Sequence, residues 1–116
     1  MRGLSMKHQI VTCNQIIGHH FWLKAPDEYG YLRNSHRHVF VIRCKFSVEH
    51  TDRQIEINDM QNIIEQHFKK AFAAIYDGID FGNMSCEDIA TYCINTFGCD
   101  ECEVLEDGFG GANVWK

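Results

Sequence analysis

His36-Arg37-His38-Val39-Phe40-Val41-Ile42-Arg43-Cys44-Lys45-Phe46-Ser47-Val48 is the stretch that decides the fold. Along an extended chain His36, His38, Phe40, Ile42, Cys44, Phe46 and Val48 share one face. Arg37, Arg43, Lys45 and Ser47 share the other, where Val39 and Val41 are the only apolar residues. Period two held over thirteen residues predicts a strand with one buried face, because successive side chains point to opposite sides of the pleat. Two imidazoles open that buried face, and an unpartnered polar ring there is costly.

On the N-terminal side, Ile10 to Trp22 mixes β-branched and aromatic residues and reads as a second strand, broken or bulged at Gly18. Pro26, Asp27, Gly30, Asn34 and Ser35 give the connection from Lys24 to Ser35 a loop composition. On the C-terminal side, His50-Thr51-Asp52 is a polar turn, and Gln54 to Ile57 adds a short extended piece. Asn58 or Asp59 then serves as an N-cap. Met60, Ile63, Ile64, His67, Phe68, Ala71, Phe72 and Ile75 recur at three and four, predicting a helix to about Tyr76 that stops at Asp77-Gly78.

Ile79 to Met84 reads as a loop. Ser85 with Asp88 three residues on approximates a capping box for a second helix. Ile89, Ala90, Cys93, Ile94 and Phe97 form its buried face, and Gly98 ends it. Glu101 to Glu106 alternates as a strand with Cys102, Val104 and Glu106 inward. Gly108 to Gly111 turns the chain into a last strand, Ala112 to Trp115. The order β-β-α-α-β-β predicts an α+β domain over residues 1–116, a four-stranded antiparallel sheet with both helices on one face. The uncovered face and the sheet edges predict a homo-oligomer.

Composition narrows the partners. A formal net charge of −5 without a Lys/Arg run argues against nucleic acid. Arg33 and Arg37 near His38 suffice at most for a small anion. No segment reaches the ~20 apolar residues that a bilayer crossing needs. The run after Met1–Gln9 is too short and polar for a signal-peptide core, so a cytoplasmic location is the default expectation. Six cysteines are present, but Cys13, Cys44 and Cys93 sit in apolar periodic segments, where free Cys acts as a small hydrophobe. Cys99-Asp100-Glu101-Cys102 is a single CxxC. It is read as a turn entering a strand, or else as half of a metal or redox motif.

His36 and His38, at i and i+2 on one strand, project from the same face with Cβ atoms roughly 6.5–7 Å apart. Both nitrogens can then converge on one zinc at about 2.0–2.1 Å. His20, on the neighbouring strand, is a third candidate. His19 competes with it, because one residue's step flips the face. Three histidines without a fourth protein ligand is the pattern of a catalytic zinc with an open position. His8, His50 and His67 read as surface or helix-flank residues. Glu106, inward before a Gly-rich turn, is either an acceptor for a nitrogen-rich ligand or the first residue of an exposed turn.

These pieces together resemble the 6-pyruvoyl-tetrahydropterin synthase and 6-carboxytetrahydropterin synthase family. Ile16-Ile17-Gly18-His19-His20 resembles the first-strand F-x-A-x-H, which puts the ligand at His20. His36-Arg37-His38-Val39-Phe40-Val41 resembles H-G-H-x-[YF]-x-V, with Arg37 in place of Gly. Glu56 to Met60 is similar to D-F-x-x-L, Ser85 to Ala90 to P-T-x-E-x-[LI]-A, and Val104-Leu105-Glu106 to V-x-E. The resemblance implies the tunnelling (T-) fold, with subunits joining their sheets into a barrel as a trimer or hexamer. It implies Zn2+ on His20, His36 and His38, and a pterin- or purine-like ligand, such as a deazaguanine (queuosine) precursor, held by Glu106 with Ser85 and Glu87.

The reaction implied is that of a zinc-dependent carbon–oxygen or carbon–carbon lyase or synthase. The alternative is a zinc-containing T-fold protein that binds a small heterocycle without turnover. Two family features are missing. No Cys precedes His36 in Gly30-Tyr31-Leu32-Arg33-Asn34-Ser35, and the interhelix linker Asp77 to Gly82 has an Asp but no His. Glu28, Tyr31 and Asp80 (with Tyr29) are the substitute proton carriers the sequence offers.

Overall fold

The computed structural model describes residues 6–116. Strand β1 runs His8–His20 and β2 runs His36–Val48, the latter with the limits that the alternation sets. They pair antiparallel over their full length, from His8 opposite Val48 to His20 opposite His36. Helix α1 is Ile57–Ala71, strands β3 and β4 are Ala74–Ile75 and Gly78–Gly82, and helix α2 is Cys86–Phe97. Strands β5 (Glu101–Glu106) and β6 (Gly110–Trp115) complete a sheet ordered β3-β4-β1-β2-β5-β6.

The fold is α+β, as expected, but the sheet corrects the four-stranded antiparallel expectation. It has six strands among the described residues, and β4 lies parallel to β1. The extra pair comes from the segment read as helix tail and loop. Helix α1 ends at Ala71 because Phe72 turns to extended backbone (φ −112°, ψ 145°). Ala74-Ile75 then hairpins onto Gly78-Ile79, with Tyr76 in the left-handed region (φ 51°). The three-and-four spacing of Phe72 and Ile75 continues past the helix because Phe72 still packs on the core and Ile75 stays half-buried, both from a different backbone.

Three smaller expectations shift as well. The Lys24–Ser35 connection contains a 3₁₀ segment, Asp27–Arg33. The side chain of Glu56, not Asn58 or Asp59, caps α1 by accepting from the Asn58 and Asp59 N–H groups. Gln54 to Ile57 forms no strand. β1 is not broken at Gly18; its irregularity is a register shift between His19 and His20 against β4.

Helix α2 follows its sequence signals closely. Ser85 Oγ accepts from Asp88 N at 3.0 Å and Asp88 Oδ2 accepts from Ser85 N at 3.0 Å. Gly98 closes the helix in the left-handed region (φ 75°), which a residue without Cβ takes at little cost. Both helices pack on the same sheet face, since Ile64, Phe68, Ile89, Ala90, Cys93 and Ile94 join Phe40, Ile42, Cys44, Phe46 and Val104 in one core. Gly18 allows a close approach of two core rings. A Cβ there would sit 2.5 Å from the Phe81 ring and 3.0 Å from Phe40. Among the described residues no helix is long and apolar enough to cross a membrane.

Candidate metal centre

The β1–β2 register decides which histidines meet. His20 lies opposite His36 and Gly18 opposite His38, while His19 lies opposite Arg37. Because faces alternate, His20, His36 and His38 share the core face. Their rings pack edge to face, His20 with its centroid 4.5 Å from His36 and 5.4 Å from His38. One ligand atom from each of the three, and one from Glu106, lie within 4.8 Å of one another.

His19 is sent to the other face, where Asp77 Oδ1 lies 3.3 Å from its Nε2 and Asp77 Oδ2 accepts from Arg37 Nε at 2.8 Å. These contacts, with Arg37 first, hold the Asp77 carboxyl below its ordinary range. His19 and Arg37 are therefore engaged away from the cluster.

In all three clustered rings one nitrogen is already committed. His20 Nδ1 lies 2.9 Å from the Met84 carbonyl, His36 Nδ1 2.9 Å from the Asn34 carbonyl, and His38 Nδ1 2.7 Å from Asp107 Oδ2. A carbonyl or carboxylate oxygen can only accept, so each Nδ1 carries the proton and each Nε2 presents a lone pair. This is the outer-shell arrangement that fixes tautomer and ring orientation in metal-bound histidines.

His20 Nε2 makes the point most sharply. It is buried and makes no hydrogen bond. Glu106 Oε2 is nevertheless 2.9 Å away. That distance lacks hydrogen-bond geometry, and with the proton on Nδ1 it brings two acceptors together. A cation between them removes the conflict. Burial, first, holds His20 below the ordinary imidazole value, with the neighbouring His36 and His38 acting in the same sense, which favours the neutral ligating form. The residues present fit a metal ion of the nitrogen-and-oxygen-binding kind.

A cavity of about 580 Å³ opens over the cluster. His20, His36, His38, Glu106, Ser85 and Glu87 all line it, with an apolar wall that includes Trp22, Leu32 and Phe109. Glu28, Tyr31 and Asp80 do not line it. Glu28 and Tyr31 are on the exposed 3₁₀ segment, and the Asp80 carboxylate accepts from Gly82 N at 2.8 Å. Tyr29 stacks on Trp22 at 6.2 Å, outside the lining.

Two residues that sequence reasoning passed over belong here. Asp107, in the left-handed region (φ 56°), holds both His38 and the Val39 N–H. An acidic residue before Gly108 was its only signal. Cys86 also lines the cavity, where burial, followed by the charge of Glu106, pushes its thiol up to about 12. It is a neutral thiol there, not a thiolate nucleophile. No protein-family model matches the chain, and no curated protein does.

Proposed function

We propose that the chain is a zinc-dependent lyase or synthase acting on a pterin- or purine-like small molecule, built on a T-fold whose subunits join edge to edge. The observation that carries this reading is the set of three imidazoles, each with Nδ1 committed, whose ligand atoms lie with one from Glu106 within 4.8 Å of one another and which line a ligand-sized cavity. A volume of about 580 Å³ falls within the ~300–1,000 Å³ usual for small-molecule sites. His20, His36 and His38 would hold Zn2+, which supplies Lewis-acid polarisation of a substrate oxygen.

The protein's own groups do the rest. Glu106 faces the cavity as an ionisable acceptor beside the imidazoles, suited to the N–H edge of a nitrogen-rich ring through charge-assisted hydrogen bonds. Trp22, Leu32 and Phe109 offer flat and apolar surface to the ring. The exposed Glu87, the neutral Cys86 thiol and the Ser85 hydroxyl are further proton-bearing side chains of the lining, besides Asp107. Strands β3, only two residues long, and β6 end the sheet. Strand β6 keeps Trp115 68% exposed, the kind of edge that subunit pairing covers.

One observation favours a second reading, a T-fold protein that binds its heterocycle without turnover. None of the proton carriers proposed from sequence lines the cavity. The test is to incubate zinc-loaded protein with pterins, including 7,8-dihydroneopterin triphosphate, and to measure both binding and product. Product formation supports the enzyme, and binding without product supports the second reading. Neither binding nor product overturns both.

A further inference from the structure

Far from the histidines, the core collects a second set of metal-binding atoms. Cys44 on β2 and Cys102 on β5 are direct cross-strand partners, with their Sγ atoms 3.9 Å apart. Cys93, from the last turns of α2, brings its Sγ within 4.8 Å of both. Cys99 follows the Gly98 cap and belongs to the same buried core, though its Sγ is outside that mutual 4.8 Å group. All four are 0% exposed. Cys44 is six residues along β2 from His38, roughly 20 Å at ~3.3 Å per residue, so this is not part of the histidine cluster.

We infer that Cys44, Cys93, Cys99 and Cys102 form a structural zinc site that ties the C-terminal end of α2 to strands β2 and β5. Zinc holds thiolates at about 2.3 Å, and tetrahedral geometry then puts neighbouring sulfurs about 3.8 Å apart, close to the Cys44–Cys102 separation. The CxxC that lacks a partner pair in sequence finds one in space: Cys102 meets Cys44 and Cys93, and Cys99, three residues before it, is the nearby buried thiol that would complete four ligands.

The surroundings suit a cation. The site lies at the C-terminus of α2, where the helix dipole favours positive charge. That turn carries no basic side chain to answer it. Simple apolar packing of small thiols gives no reason for three cysteines, from three parts of the chain, to bring their sulfurs within 4.8 Å of one another.

On loading, each Sγ–H bond gives its proton to solvent as an Sγ–metal bond forms, with no change in oxidation state. Thiolates select soft and borderline ions, so zinc fits this site better than hard cations do.

The experiment is anaerobic loading of the whole reduced protein with cobalt(II), a spectroscopic stand-in for zinc, followed by near-ultraviolet and visible absorption. Sulfur-to-cobalt charge transfer is expected, and imidazole or carboxylate ligands do not produce it; it should persist in Cys86→Ser, which removes the thiol lining the histidine cavity and so makes the result independent of that cluster. Cys13→Ser, at the exposed cysteine, should keep the band, and Cys102→Ser should lose it. If Cys102→Ser does not fold, the Cys86→Ser spectrum decides alone, and a band lost there would overturn the site. A folded, cobalt-exposed protein without the band would overturn the site. So would a Cys44–Cys102 disulfide in protein purified under reducing conditions, or a band lost in Cys13→Ser.

Discussion

His38 Nδ1 and Asp107 Oδ2 lie 2.7 Å apart, across the turn that joins β5 to β6, while Asp107 Oδ1 accepts the Val39 N–H at 2.9 Å. One carboxylate therefore fixes both the strand and the ring it carries. Asp107→Ala removes that restraint and should weaken zinc binding about 10–100-fold, the usual cost of losing an outer-shell partner. Asp107→Asn keeps an oxygen that accepts and tolerates the left-handed backbone, so it should lose less. Zinc affinity from competition with a chromophoric chelator checks the order. Equal affinity in wild type and Asp107→Ala would show that the contact does not position His38.

Gly18 carries a packing constraint directly under the same cluster. In Gly18→Ala the new methyl meets the Phe81 ring at 2.5 Å and Phe40 at 3.0 Å, both of them buried. The alanine should gain a few tenths of a kcal/mol from reduced unfolded-state freedom. Overpacking costs ~1–3 kcal/mol and outweighs it. The urea midpoint should fall accordingly. An unchanged midpoint would mean that Phe81 moves aside freely.

Ser85 tests the cap and the cavity separately. Ser85→Ala removes the acceptor for Asp88 N and should destabilise the protein by about 1 kcal/mol. Ser85→Asp retains a capping oxygen and should recover most of that loss in thermal unfolding. If the hydroxyl also touches a ligand, Ser85→Asp will restore stability but not ligand affinity. Recovery of both would confine Ser85 to the cap.

How far the sequence could be read follows the range of the interactions involved. β2 is legible to the residue because its thirteen-residue alternation records a single buried face. α2 is legible because its capping box and its Gly98 stop are local. β4 is not, since only Ile79 and Phe81 alternate, and their burial depends on pairing with β1 some 60 residues earlier in the chain. In the cluster, His36 and His38 announce themselves by sharing a strand. Asp107 is 69 residues from the ring it holds. The cysteines lie in three separate apolar runs, so each alone looks like core. Local periodicity writes elements and same-strand pairs; it does not write contacts that pairing of distant strands creates.

The choice between His19 and His20 gives the sharpest test of the cluster, because the two differ by one residue and one face. His20 is paired opposite His36, whereas His19 is opposite Arg37 and within 3.3 Å of Asp77. His20→Ala should therefore abolish zinc retention on dialysis against a weak chelator, since two remaining imidazoles hold the ion far less tightly. His19→Ala should retain it, because His19 faces away from the cluster and is engaged with Asp77, which also serves Arg37. Elemental analysis of the three proteins side by side, with circular dichroism to confirm folding, separates the cases. Zinc counts must be read as differences from wild type, so that metal on the cysteines cancels. If His19→Ala lost the same increment as His20→Ala, the face assignment of β1 would be wrong, and the histidine cluster with it.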